Sequence, residues 1–157
     1  MGLLQRSRRP GVTLWRVPVE GGTAEQLTHY GSIFPAISPD GKWVAFVFAG
    51  SSPTGIGIIP ATGGRPVKTF NLSYSSPGGT PVLRWSPAGD AIDYIDARDG
   101  VANIWRQPLD GGQPRRISDF ASGLIFNFAW STDGKDLAVA RGSTTSDVVR
   151  IRHFEAQ

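Results

Sequence analysis

The sequence predicts an all-β fold made of repeated four-stranded antiparallel sheets. Two recurring turn motifs and the lack of any helical period carry that prediction. The first motif is Ile37-Ser38-Pro39-Asp40-Gly41-Lys42 followed by the apolar run Trp43–Val47. It returns as Trp85-Ser86-Pro87-Ala88-Gly89-Asp90 before Ala91–Ile95, and as Trp130-Ser131-Thr132-Asp133-Gly134-Lys135 before Leu137–Ala140. Pro presets φ at the first corner of a type I turn, Asp suits the second, and Gly takes the left-handed conformation that other residues resist. Each copy therefore reads as a β-hairpin. The second motif is a double glycine at positions 21, 63 and 111, flanked by short apolar runs. Its copies are 42 and 48 residues apart, within the ~40–50 residues of a radially stacked repeat. The two hairpins alternate, giving four strands per repeat. Sheets of that kind are the blades of a β-propeller.

Taken in order, residues 1–11 form a basic segment broken by Pro10 and Gly11, with Arg6, Arg8 and Arg9. Chain ends of this composition are commonly flexible unless docked. Propeller repeats are expected over 12–157. Residues 12–28 hold the last two strands of a blade, with Val12–Val17 and Glu25–Thr28 around Glu20-Gly21-Gly22. Complete blades are expected at 33–70 and 80–118. The stretch 125–155 supplies a first hairpin and a third strand, Asp147–Ile151. The sum is a partial propeller of about three blades, fewer than the ~4–8 a closed ring uses. The expectation is thus either the tail of a longer propeller or a unit that closes with a second copy of itself, because open edge strands invite pairing.

The chain has 157 residues with 16 basic and 13 acidic side chains, a net charge of +3. So small an excess, with no clustered basic patch, does not point to nucleic acid. There is no Cys, which excludes disulfides and thiolate metal sites but leaves the compartment open. No run reaches the ~18 apolar residues of a membrane span, and Met1–Pro10 lacks the apolar core of a signal peptide.

Several segments together resemble the TolB-like propeller repeat, a WD-repeat-like family. They are Ser38-Pro39-Asp40-Gly41-Lys42 with Ala45-Phe46-Val47, Leu14-Trp15-Arg16-Val17-Pro18, Glu20-Gly21-Gly22 and Gln26-Leu27-Thr28. The resemblance runs over about residues 12–155. Leu137–Gly142 with Ser146-Asp147-Val148-Val149 also looks like the end of bacterial serine/threonine kinases that carry such a propeller. That likeness implies a sensor or interaction module joined to a kinase domain. The repeat departs from its pattern at Ala88, Thr132 and Gly57, the last standing where Trp15 and Trp105 stand.

No catalytic motif occurs: there is no Gly-rich nucleotide loop, no His-Arg-Asp or Asp-Phe-Gly, and no Gly-x-Ser-x-Gly elbow. His29 and His153 have no ligand spacing, so no metal and no cofactor are expected. Asp40 and Asp133 belong to turns. Asp90, Asp93, Asp96 and Asp99 are expected as edge and turn solvation, and Asn71-Leu72-Ser73 carries no weight as a sequon. Two charges break the repeat, however. Arg84 stands where Ala36 and Ala129 stand, and Asp93 where Ala45 and Ala138 stand. Both positions fall on the inner strands, so either residue is a candidate for a ligand site at the channel mouth. A three-residue loop after Ser86 would set Leu83 opposite Asp93 and turn Arg84 away, so no ion pair between Arg84 and Asp93 is expected. Trp15, Trp85, Trp105 and Trp130 recur at repeat positions and are expected between blades. Trp43, with Ala91 and Asp136 as its equivalents, is expected at an edge as an interface anchor.

The function expected is non-catalytic binding of a protein or small ligand by the blade loops, in the sensor part of a larger bacterial signalling protein. An accessory propeller of a hydrolase or peptidase, or a self-assembling unit, is the alternative.

Overall fold

The computed structural model describes residues 11–50, 55–72 and 81–144. The basic segment 1–10, the Asp147–Ile151 strand, Ser73 of the sequon and His153 lie outside them. The described residues are all-β. A first hairpin pairs β1 (Trp15–Arg16) with β2 (Glu25–Gln26). A four-stranded sheet follows, made of β3 (Ser32–Ile37), β4 (Trp43–Phe48), β5 (Gly55–Pro60) and β6 (Lys68–Asn71). The next sheet holds β7 (Leu83–Trp85), β8 (Ala91–Arg98), β9 (Val101–Pro108) and β10 (Arg115–Arg116). A last hairpin joins β11 (Leu124–Trp130) to β12 (Leu137–Gly142). Every pairing is antiparallel and between sequence neighbours.

The first motif builds the same turn three times, and a serine holds each copy together. Gly41, Gly89 and Gly134 take φ near 71° and donate their N–H to the carbonyls of Ser38, Ser86 and Ser131. The serine hydroxyls in turn accept from the N–H of Trp43 at 2.9 Å, Ala91 at 3.1 Å and Asp136 at 2.9 Å. Each hydroxyl also donates to a turn carboxylate: Asp40 at 2.6 Å, Asp90 at 2.7 Å and Asp133 at 2.7 Å. Asp90 thus takes over the bond that Ala88 cannot make. The serine contacts hold the carboxyls of Asp40 and Asp133 below the ordinary range, with backbone N–H bonds adding to the effect.

The sheets stack because each is apolar on both faces. Val44, Phe46 and Ile59 pack toward the first hairpin with Leu14 and Leu27. Ala45, Val47, Ile56 and Ile58 pack the other way, against Leu83, Trp85, Ile92 and Tyr94. Ile95, Ala102 and Ile104 then meet Ile125 and Phe128 of the last hairpin. Trp85 donates its indole N–H to the carbonyl of Ala36, on the preceding sheet, at 2.8 Å. Trp15 departs from the expectation. It is 56% exposed, because among the described residues no sheet lies beyond the first hairpin. Ile37, the counterpart of Trp85, is 68% exposed.

Gly57 explains the missing tryptophan of the second sheet. It pairs with Phe46, and a Cβ there would sit 2.3 Å from the Phe46 ring and 3.0 Å from Phe48. Phe46 and Phe48 meet edge to face at 4.9 Å and fill the volume that Trp105 fills opposite Tyr94 in the next sheet. Gly57→Ala is therefore expected to lower unfolding free energy by about 1–3 kcal/mol through overpacking, read by urea denaturation. An unchanged midpoint would show that the Phe46 ring moves aside freely. Tyr94 supplies a second check. Burial, with the Asp96 charge adding to it, pushes its hydroxyl from 10.0 up to about 12. The neutral form is the one the fold favours. Its contribution to stability is therefore complete below pH ~10 and lost as pH rises through about 12. Absorbance at about 295 nm should show this tyrosine ionising later than an ordinary phenol.

Candidate functional site

The loop after β7 decides where the two repeat-breaking charges point. Ser86 bonds through its hydroxyl to the N–H groups of both Asp90 and Ala91, at 3.2 and 3.1 Å, and its own N–H reaches the Ala91 carbonyl at 2.9 Å. The loop therefore spans four residues, 87–90. The register moves by one from the expected one: Leu83 faces Tyr94, and Arg84 faces Asp93 directly. Paired residues share a sheet face, so both charges look toward the last hairpin. The carboxylate of Asp93 nevertheless pairs with Arg106 on β9 and not with Arg84.

Asp93 is 0% exposed. Its Oδ1 accepts from Arg106 Nε at 2.7 Å and its Oδ2 from the Arg106 terminal nitrogen at 2.9 Å. Trp130, across the junction on β11, donates its indole N–H to Oδ2 at 2.8 Å. The Arg106 guanidinium lies 5.5 Å from the centre of the Trp130 ring. The hydrogen bond to Asp93 is the main reason that Arg106 holds its proton more tightly than a free guanidinium. This two-pronged, charge-assisted geometry is the strong form of the arginine–carboxylate pair. It compensates a burial that costs several kcal/mol per ion. The matching pair in the second sheet is Ala45 with Ile58. One junction is thus closed by hydrocarbon and the next by an ion pair with an indole.

Of the other acidic residues, Asp96 corrects the expectation of edge and turn solvation, while Asp90 and Asp99 are exposed turn residues as expected. Asp96 is 3% exposed and pairs with Arg98 at 2.8 Å, whose guanidinium lies 3.6 Å over the Trp105 ring. Asp90 belongs to its turn. Asp99, at φ 52°, forms with Gly100 the two-residue β8–β9 hairpin, the primed turn that Asp-Gly favours.

Arg84 is only partly buried. It donates to the Leu83 carbonyl at 2.8 Å and to Asn127 Oδ1 on β11 at 3.1 Å. It walls a cavity of about 420 Å³ across the starts of three successive inner strands, with Phe34, Pro35, Leu83, Phe126 and Asn127. Both flanking strands bulge at this level, between Ile33 and Ala36 and between Ile125 and Asn127. Phe34 sits at φ 55°, a left-handed conformation that costs a bulky residue about 1–3 kcal/mol. Bulges of this kind re-aim side chains and gather near binding sites. Trp43 corrects the expectation of an edge: it opens β4, which lies between β3 and β5, is half-buried against the core, and walls a separate cavity at the turn end of that sheet. The structure thus brings Arg84 and Asp93 to one face, against the expectation that Arg84 turns away, and gives Asp93 two partners, Arg106 and Trp130, of which the sequence gave no sign.

No family model matches the chain. A Streptomyces coelicolor protein described as "Tricorn protease homolog 1" is 28% identical over 104 residues, covering 65% of this chain and 9% of that protein. A Bacillus subtilis protein described as "Uncharacterized peptidase YuxL" is 29% identical over 126 residues, covering 74% of this chain and 18% of the relative. The chain therefore spans less than a fifth of the length of these relatives. Among solved structures, TolB from Acinetobacter baumannii superposes with a TM-score of 0.66 at 22% identity, over 85% of this chain and 33% of that one. A chain of the nidogen/laminin complex superposes with a TM-score of 0.61 at 14% identity, over 82% and 48%. These likenesses carry the fold, that of propeller blades.

The ion pair gives a test of its own. Asp93→Ala should cost about 2–4 kcal/mol, toward the lower end for a broken buried pair, since it leaves the partly buried Arg106 and the Trp130 indole N–H without their carboxylate. The double substitution Asp93→Ala with Arg106→Ile copies the Ala45–Ile58 pair and should recover most of that loss in urea unfolding. If both variants were equally unstable, pairing of the two charges would not be what holds the junction.

Proposed function

We propose that this chain is a non-catalytic binding module that takes a protein segment or small ligand at the inner-strand cavity walled by Arg84. The observation that carries the reading is the convergence there of a partly exposed cation, two strand bulges and the strained Phe34. Asp93, wholly enclosed by Arg106 and Trp130, is spent on the blade junction, so Arg84 is the ligand-facing member of the pair. A guanidinium at a concave mouth suits an anionic group, a carboxylate above all. The module is read as the sensor or interaction part of a larger bacterial signalling protein, such as a serine/threonine kinase.

The relatives described as a protease homologue and a peptidase favour a second reading, a propeller accessory to a hydrolase. The full open reading frame separates the two. A kinase domain on the same polypeptide supports the first, and a hydrolase domain supports the second. In either case the exposed Trp15 and Ile37 mark a face for further blades or a second copy.

Calorimetric titration with a set of short peptides bearing free C-terminal carboxylates tests the cavity. Binding should weaken when the peptides are amidated, and about tenfold or more in Arg84→Met, as expected for a lost charged hydrogen bond. Equal affinity in the variant would remove Arg84 from the site.

A further inference from the structure

The cavity beside Trp43 is distinct from the one at Arg84. It lies between the turns 38–41 and 86–89, holds about 300 Å³, and is walled by Trp43, Ile58, Trp85 and Leu109, with Asp40 and Lys68 at its sides. That volume is at the small end for ligand pockets, roughly 300–1,000 Å³. The next blade junction has the same parts with its turns set closer together. There Gly134 is so close to Pro87 that an added Cβ would stand 2.6 Å from it, whereas one on Gly89 would stand 3.7 Å from Pro39. Ala91 replaces Trp43 at that junction, and Arg106, tied to Asp93, replaces Ile58. Of these two junctions, the first thus combines separated turns with a hydrocarbon wall. Its Trp85 is fixed by the bond to Ala36, so that indole is a preorganised surface.

Charge selects the ligand class. Asp40 Oδ1 accepts from Ser38 Oγ and the Lys42 N–H, and Oδ2 lies 3.8 Å from the Lys42 ammonium. Its charge is balanced within its own turn. Lys68 donates to the Leu109 carbonyl at 2.6 Å, which uses one of an ammonium's three donors. The lining thus holds one anion, Asp40, paired with Lys42 in its own turn, and one cation, Lys68, which keeps donors for a ligand beside the apolar floor. We propose that this cavity binds a small free carboxylate whose aromatic or aliphatic group seats against Trp43 and Trp85, with its anionic end toward Lys68.

The test follows the tryptophan indole N–H resonances by NMR, with the Trp43 signal assigned from Trp43→Phe. The probes are 3-phenylpropanoate, 3-phenylpropylamine and N-acetyl-Phe-Glu-amide. The expected result is a saturable shift of the Trp43 signal with 3-phenylpropanoate, at an affinity about fivefold or more above that of the amine, as one charge-assisted contact gives. Lys68→Met should erase that preference. Ala88→Phe, at an exposed turn position that walls the cavity, should block the shift while leaving the melting temperature and the signal of Trp15, on the first hairpin, in place. No saturable shift, equal binding of amine and carboxylate, or undiminished binding in a folded Ala88→Phe variant would overturn the proposal. Tighter binding of the acetylated dipeptide than of 3-phenylpropanoate would overturn the assignment to a free small molecule.

Discussion

Val44, Phe46 and Ile59 point one way from the second sheet while Ala45, Val47, Ile56 and Ile58 point the other, and the rest of the structure follows from having to cover both faces. A sheet apolar on one side is satisfied by a single neighbour. A sheet apolar on both needs a neighbour on each side, and so stacking continues until some other surface ends it. Three apolar layers separate the first hairpin, the two four-stranded sheets and the last hairpin. Where the series stops among the described residues, Trp15 and Ile37 are left in solvent.

Local chemistry sets each sheet and long-range chemistry sets how sheets meet. The Ser-x-x-Gly turn closes through bonds within six residues, so it repeats faithfully even where Ala88 or Thr132 breaks the motif. The junctions do not repeat. One is closed by Trp85 on a backbone carbonyl, the other by Trp130 on a buried carboxylate. The turns also stand further apart at the first than at the second. These differences divide the inner surface into an apolar recess at the turn end and an arginine-walled mouth at the strand starts.

The strands and hairpins were legible because their signals are local: serine, glycine and proline at fixed offsets, and apolar runs between them. Arg84 and Asp93 stood out for the same reason, as charges at positions that are Ala in the other copies. Their partners were not legible. Arg106 lies 13 and Trp130 lies 37 residues from Asp93, and no periodicity links them. The register of β7 differs from the expected one because the turn serine pairs with the fifth residue after it, as Ser38 and Ser131 also do, which leaves four residues in the loop and not three. The burial of Asp96 was missed in the same way: a carboxylate in an apolar strand reads as an edge until the arginine covering it is seen. Trp15, by contrast, carries the repeat signal but not its context.

The Asp93–Arg106–Trp130 contact also constrains how repeats of one chain are told apart. Blades built on a shared pattern run the hazard of docking on the wrong neighbour during folding. A hydrocarbon face accepts any other hydrocarbon face. The face that carries Asp93 does not, because the carboxylate keeps its full set of bonds only against a blade that offers an indole N–H at the end of its first strand. Ile37 has no such group to offer. The ion pair is thus a key cut into one joint of the stack: it shuts out a blade that ends its first strand in Ile37, and admits those that end it in tryptophan, as Trp85 and Trp130 do.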